Sequence, residues 1–532
     1  MFGILSSIIF FPTLAAFALL VVPGQHARRF AYGASIVSFG LALWLWRHYD
    51  PTSAAMQYTF DTSWIPLLGI HFSLGVDGIS LPLVMLAAFI SPIAWLGTWP
   101  SDENKPKNEK FFLANVLLLQ TGMYGTFLAT DMFLFYFFWE VVLIPMFFLI
   151  GIWGGQNRIY ATVKFFLYTL VGSLLMLVAI FWLVKATTAQ FGAPSTRFAD
   201  IASLALPFDS AHPWTSPQTW LFLAFALAFV IKVPMVPFHT WLPDAHVQAP
   251  TIGSVFLAAV LLKMGTYGLM RICLPMFPEA SYWAAPVLQA LGVIGILYGA
   301  FCAMAQDDFK KLVAYSSVSH MGYILVGLFA FEPIALSGSL YQMINHGISS
   351  AGLFLIVGFL YERLHTRDLN KFGALAKTVP LMAIAFMIMT LSSVALPGTN
   401  GFVGEFTILL GVFQKSPLMA GLSGLGVIFG AVYALKAYQK VMLVPSSTGV
   451  TPGTPMPGHG HDDHGHAAHG AGHGGHDDHG HALSDLNHTE IAAMILLALF
   501  VFTVGFFPET FFGPSRVSLE ALNSMLATRL GL

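Results

Sequence analysis

Ile231–His246 reads IKVPMVPFHTWLPDAH and directly follows the apolar run WLFLAFALAFV of residues 220–230. The run is a helix in a hydrocarbon setting, and the two prolines stop it, because proline lacks a backbone donor and clashes with the preceding turn. Lys232 therefore falls next to a helix interruption, deep in apolar sequence. A charge at such a depth costs about 2.5–3.5 kcal/mol and faces a bundle interior or water rather than lipid. A second stretch, Val394–Phe406 (VALPGTNGFVGEF), has the same character, with Pro397, Gly398, Gly401 and Gly404 breaking the helix ahead of Glu405. Interrupted helices at matching places in two halves of a chain are a pointer to an ion pathway. A packing kink is the competing reading, since Pro and Gly are ordinary in transmembrane helices.

The whole composition agrees with a membrane setting. The chain has 532 residues, of which 56% are hydrophobic and 9% charged, against roughly 25% charged in soluble domains. So few charges cannot cover a soluble surface, which excludes a soluble enzyme. The net charge of −2 and the lack of a basic stripe exclude nucleic acid as a partner. Cys273 and Cys302 lie far apart in apolar runs and form neither a disulfide framework nor a thiolate metal site. The apolar first 22 residues carry no basic leader and are read as a retained span.

Runs of about 20 apolar residues mark helices able to cross a bilayer. Fourteen emerge, at 3–22, 30–47, 79–98, 111–129, 132–152, 164–185, 218–238, 252–272, 283–304, 312–331, 336–361, 379–413, 419–442 and 489–508. The expected fold is an all-α polytopic membrane protein with the seventh and twelfth helices broken. Most loop Lys and Arg residues, including Arg28, Arg29, Lys105, Arg158, Lys310, Lys311, Arg363 and Lys371, fall on one face. The other face holds Arg47, Lys185, Arg197, Arg271, Lys415, Arg516 and Arg529. The basic face is cytoplasmic, which sets both termini on the outer side of the membrane.

An internal repeat divides the chain. A shift of 173 residues carries Phe111 to the start of the ninth span, Lys164 into the eleventh, Lys232 to Glu405 and Lys263 to Lys436. Five helices per copy is an odd number, so the second copy enters the membrane inverted. The expected units are N-terminal helices at 1–110, a first repeat at 111–272, a second at 283–443, a loop at 444–488, and a last helix with a short tail at 489–532.

Four ionisable residues sit near span centres: Glu140 in FYFFWEVVLIPMFF, Lys232, Lys263 in AAVLLKMGTYG, and Glu405. A structural ion pair is the plain reading, but well-packed apolar side chains usually stabilise a bundle as well. The functional reading is a proton relay. Glu140 holds Lys232 charged, and separation of the pair sends a proton by way of Lys263 toward Glu405. At about 6 Å and an effective dielectric near 20, such a pair attracts by roughly 3 kcal/mol. His320 and His346, in spans of the second copy, and His239, after the first break, are supporting candidates, as is His246. Asp244 reads as a cap for the following helix.

His459 to His481 reads HGHDDHGHAAHGAGHGGHDDHGH, a Gly-rich stretch with no means of forming a core. Imidazole and carboxylate suit Zn, Ni or Cu, yet no fixed spacing selects one. A passive cytoplasmic linker that binds metal adventitiously is favoured over a metal sensor.

Five stretches carry a family resemblance: VDGISLP from Val76, FFWEVVLIPMFFLIGIWGG from Phe137, KVPMVPFHTWLPDAHVQAPT from Lys232, DDFKKLVAYSSVSHMG from Asp307 and NGFVGEF from Asn400. The chain resembles the antiporter-like membrane subunits of proton-pumping NADH:quinone oxidoreductase, respiratory complex I. That resemblance implies fourteen helices in two inverted five-helix units in a bacterial cytoplasmic membrane. It implies no cofactor in this chain, with NADH, FMN, iron–sulfur clusters and quinone in partner subunits, and two sibling antiporter-like chains as membrane neighbours. It also matches Glu140 and Lys232 to the family's ion pair, Lys263 to its central lysine and Glu405 to its second-half terminal group. The siblings usually carry lysine at that last position, and the largest has a long lateral helix where here only 24 residues follow Pro508. A sodium/proton antiporter subunit, a divalent-metal transporter and a membrane spacer are the competing functions.

Overall fold

The computed structural model describes residues 3–99, 105–445 and 483–531. The tract from His459 to His481 lies outside them. Helix dominates, and the N-terminal part comprises α1 (Ile4–Ala18), α2 (Gly24–His48), α3 (Ser80–Gly97) and α4 (Glu109–Leu128). The fifth expected span is two helices, α5 (Met132–Val141) and α6 (Leu143–Trp153), followed by α7 (Arg158–Phe191) and a short α8 (Phe198–Ala202). The broken seventh span is α9 (Pro217–Lys232) and α10 (Trp241–Gln248). The eighth runs from Thr251 to Met276 as α11 (Thr251–Phe256), α12 (Leu262–Gly268) and α13 (Leu274–Met276), joined by two wider π-helical turns.

The second half comprises α14 (Pro278–Met304), α15 (Phe309–Leu328), α16 (Pro333–Leu364), α17 (Pro380–Ser393), α18 (Asn400–Lys415) and α19 (Pro417–Tyr438). After the tract come α20 (His488–Phe506), α21 (Pro508–Phe512) and α22 (Arg516–Leu530). Nine helices among the described residues are long and apolar enough to cross a membrane, and α1, α9 and α17 are shorter apolar helices. Two features were not expected. Residues 57–76 form an antiparallel hairpin, β1 (Gln57–Ile65) and β2 (Ile70–Val76), and most of the tail folds as α22.

Side-chain caps start many of these helices. Asp131 Oδ1 accepts from Phe133 N and Leu134 N at the head of α5. Asp308 accepts from Lys311 N for α15, Glu332 from Ile334 N and Ala335 N for α16, and Asn487 with Glu490 forms a capping box for α20. Each cap satisfies backbone donors that have no partner within the helix. Asp244 does not cap, as the spacing suggested; its carboxylate meets Lys164 Nζ at 2.7 Å and ties α10 to α7.

Exposure shows which helices form the centre. The apolar stretches of Thr251–Met276 and α16 are enclosed by other helices, whereas α7 turns Val163, Leu167, Val171, Leu174 and Val178 outward. That stripe repeats at three- and four-residue intervals, as a lipid-facing side of a helix must. Close packing brings α9 against α12: a Cβ on Gly268 would stand 2.5 Å from the Phe229 ring, and one on Gly265 would stand 2.8 Å from Phe229 O. Glycine alone permits that approach, and it draws the two lysine-bearing helices together.

The shift of 173 residues does not preserve position relative to the breaks. Lys232 is the last residue of α9, ahead of the first interruption, while Glu405 lies inside α18, beyond the second.

Arg363 near the end of α16 grips Glu490 of α20 through both carboxylate oxygens, at 3.0 and 2.6 Å, and donates to Ser484 O and Asp485 O. Removing one member of a buried, bidentate pair typically costs 3–5 kcal/mol. Arg363→Ala is expected to lower the thermal unfolding midpoint of the purified assembly measurably, with Arg363→Lys intermediate because lysine lacks the forked geometry.

Candidate functional site

Lys232 is buried where α9 ends. Its ammonium lies 4.6 Å from the centre of the Trp139 ring and makes no hydrogen bond among the described residues. Glu140 follows Trp139 on α5, and its Oε1 is also buried without a partner, as is Trp139 Nε1. Glu140 and Lys232 are close enough for each to feel the other's charge, but they form no direct ion pair. Three buried polar groups without protein partners, gathered around one cation–π contact, make a site suited to bridging water.

Lys263 occupies α12, between the π-helical turns Leu257–Leu261 and Leu269–Cys273. A π turn disturbs the normal helical bonding and is frequent at functional positions. Here the Lys263 ammonium donates to Ala258 O at 2.5 Å and to His346 Nδ1 at 2.6 Å. His346, on the enclosed helix α16, reaches Ser317 Oγ with Nε2 at 3.2 Å. Its ring centre is 5.5 Å from that of His320 on α15.

His320 Nδ1 meets Glu405 Oε1 at 2.6 Å, and the same oxygen accepts from Gln342 Nε2 at 2.9 Å. The other His320 nitrogen lies 3.2 Å from Ser393 Oγ and 3.3 Å from Tyr433 Oη. Lys263, at the end of the first half, and His346, His320 and Glu405 of the second thus lie in a row of titratable groups, with direct contacts at Lys263–His346 and His320–Glu405 and the two imidazole rings 5.5 Å apart between them. All four are buried. Such groups are held at depth only when paired.

The fold separates other candidates from this line. His239 packs its ring against Tyr298 at 5.0 Å and Tyr315 at 6.4 Å, so it joins none of the four. His246 is fully buried, stacked on Phe354 at 4.4 Å, with both ring nitrogens unpartnered. It lies within electrostatic reach of Lys263 and of Lys310. Lys310 donates to Ala249 O at 2.5 Å in the wall of a cavity of about 760 Å³, which Gln248, Thr251, Asp307 and Arg367 also line on the lysine-rich face.

Several site residues carry no signal in the sequence. Trp139, Ser317, Gln342, Ser393 and Tyr433 are common residue types in helices, and only packing assigns them their contacts. Lys310 was visible only as a loop charge. Among the described residues no three His, Cys, Asp or Glu side chains gather as metal ligands.

The Trp139 ring lies against the Lys232 ammonium. Trp139→Leu, removing a contact worth about 0.5–2 kcal/mol, is expected to lower the thermal unfolding midpoint of the purified assembly by a few degrees, while Trp139→Phe keeps most of the stability.

Comparison with known proteins follows the same lines. Residues 129–430 match the family described as NADH:quinone oxidoreductase/Mrp antiporter, TM. NADH-quinone oxidoreductase subunit M of Rhodobacter capsulatus is 45% identical over 459 residues, covering 83% of this chain and 86% of that one. Subunit M of Escherichia coli (strain K12) is 45% identical over 411 residues, covering 75% and 78%. Among solved structures, a chain of respiratory complex I from Thermus thermophilus with bound NADH superposes with a TM-score of 0.83 at 30% identity, covering 98% of this chain and 99% of that one. A chain of the Mrp complex from Dietzia sp. DQ12-45-1b superposes at 0.79 with 20% identity and the same coverage, a likeness of fold.

Proposed function

The chain belongs to the NADH:quinone oxidoreductase/Mrp antiporter transmembrane family, among the subunits M of NADH-quinone oxidoreductase, and from that premise we propose that it translocates protons through its buried acid, amine and imidazole groups. The carrying observation is the row Lys263–His346–His320–Glu405, with contacts of 2.6 Å at each end and 5.5 Å between the two imidazole ring centres in the middle. In this reading the chain is a multi-pass subunit of an enzyme complex in a bacterial cytoplasmic membrane, with both termini outside. NADH, FMN, iron–sulfur and quinone chemistry stays in partner subunits, and the sibling antiporter-like chains are neighbours.

The chemistry follows from the geometry. Protons enter from the lysine-rich face through the cavity lined by Lys310, and His246 stands between that cavity and Lys263. The ammonium of Lys263 already donates to His346 Nδ1, so the proton it passes on needs no large movement. His346 in turn adjoins His320, and the Nδ1 proton of His320 is directed at Glu405. Glu140 controls the process from the first half. Bringing it against Lys232 stabilises a cation there by roughly 3 kcal/mol at about 6 Å, and a transmembrane potential supplies about 2.3 kcal/mol per charge per 100 mV. The two are of similar size, so making or breaking the pair is enough to move one proton against the potential.

The test is proton pumping by the whole complex in inverted membrane vesicles, scored against NADH oxidation in the same preparation. Lys263→Met, His346→Leu and Glu405→Gln are each expected to reduce protons moved per NADH severalfold, as is Lys232→Ala. Full pumping by both Lys263→Met and Lys232→Ala would defeat the reading.

A further inference from the structure

Glu405 is not the end of the polar features on α18. From its carboxylate toward the face poor in lysine and arginine, the side chains on α18 that meet α16 are Ile408 and Val412. They belong to a hydrophobic cluster with Val293, Ile296, Val326, Ala335 and Tyr323, whose hydroxyl is turned to Ser423 O. The packing is tight: a Cβ on Gly338 would stand 2.6 Å from Ile408 N, and one on Gly411 would stand 2.3 Å from Ala335 N. On the far side of this cluster sits a second buried carboxylate that the relay leaves unused, Glu332.

Glu332 divides its two oxygens between different tasks. Oε2 caps α16 through Ile334 N and Ala335 N, at 2.8 and 3.0 Å. Among the described residues both capping bonds fall on Oε2, leaving Oε1 outside the cap. Glu332 lines a cavity of about 390 Å³ on the outer face, with Gln414 and Lys415 of α18 and Asn523 of α22. A Cβ on Gly411 would stand 2.6 Å from Glu332 Oε2, and the rise of about 1.5 Å per residue puts Gly411 about 9 Å along α18 from Glu405, so Ile408 and Val412 lie in the stretch between the two carboxylates.

We propose that Glu332 is the outward acceptor for protons leaving Glu405, and that Ile408 and Val412 form the dewetting gate between them. This rests on the reading of Glu405 as the relay's terminal group. When the layer admits water, the O–H bond of protonated Glu405 breaks, and the proton passes along the water to Glu332 Oε1, where a new O–H bond forms. The Oε2 cap is retained throughout, so α16 keeps its N-terminus. Glu332 then releases the proton to cavity water as hydronium, and Lys415 at the mouth favours return of Glu332 to its anionic form. Hydrophobic constrictions gate other membrane pathways in this way.

The experiment uses the complete complex in sealed vesicles, with assembly checked by native gel and by NADH oxidation. Glu332→Gln keeps a capping oxygen but does not take up a proton, and it is expected to reduce protons moved per NADH at least threefold. Ile408→Ser is expected to hydrate the layer, so that an imposed pH gradient decays severalfold faster without NADH. Adding Glu405→Gln to Ile408→Ser is expected to restore the slow decay. Wild-type pumping by Glu332→Gln, with Glu405→Gln defective, overturns the exit and leaves the relay standing. Wild-type pumping by Glu405→Gln would instead remove the relay's terminal group. An unchanged leak in Ile408→Ser, or a leak that persists in the double variant, overturns the gate.

Discussion

A charged amine cannot stay in a hydrocarbon interior unless something there answers its charge, and the architecture of this chain is arranged around that requirement. Lys232 is answered by the face of Trp139 and by the field of Glu140, and Lys263 by Ala258 O and His346. Each answer depends on a departure from regular helix. The prolines after Lys232 end α9 at the ammonium, and the π turns on either side of α12 place a carbonyl within reach of Lys263. Regular helices would leave both amines facing apolar neighbours, at a cost a marginally stable fold does not absorb.

The two lysines are answered differently. Among the described residues Lys263 has direct hydrogen bonds and Lys232 has none, only the quadrupole of Trp139 and the nearby Glu140 carboxylate. A fully hydrogen-bonded group is held in one place, whereas an incompletely satisfied one has more than one arrangement of similar energy. The second condition is what a control element needs, which is why the proposed relay assigns that part to Lys232. Enclosure of Thr251–Met276 and α16 serves the same end, since water at the centre would short-circuit any ordered transfer.

Much of this was legible beforehand. Glu140, Lys232, Lys263 and Glu405 stand out because charge in a long apolar run is expensive wherever the chain folds, and the broken helices stand out because proline and glycine act locally. His320 and His346 were weaker candidates, as a histidine in an apolar run has many uses. His239, a weaker candidate by sequence than that pair, packs its ring against Tyr298 and Tyr315. The repeat offset that paired Lys232 with Glu405 matched residues on opposite sides of their breaks. The β1–β2 hairpin and α22 went unseen, the former because exposed β1 and buried β2 share no single alternating pattern, the latter because a helix of mixed apolar and polar residues leaves no hydropathy signal.

By itself the sequence determined the setting and the titratable groups: a multi-pass helical bundle with charges stranded at depth and two interrupted helices. Those follow from transfer free energies and backbone chemistry, which depend on near neighbours in the chain. Only the tertiary structure decided which groups touch. Lys263 and His346 are 83 positions apart and His320 and Glu405 are 85 apart, yet each pair meets at 2.6 Å. Contacts between distant positions are set by how whole helices pack and rotate, a property of the assembled bundle that no local stretch encodes.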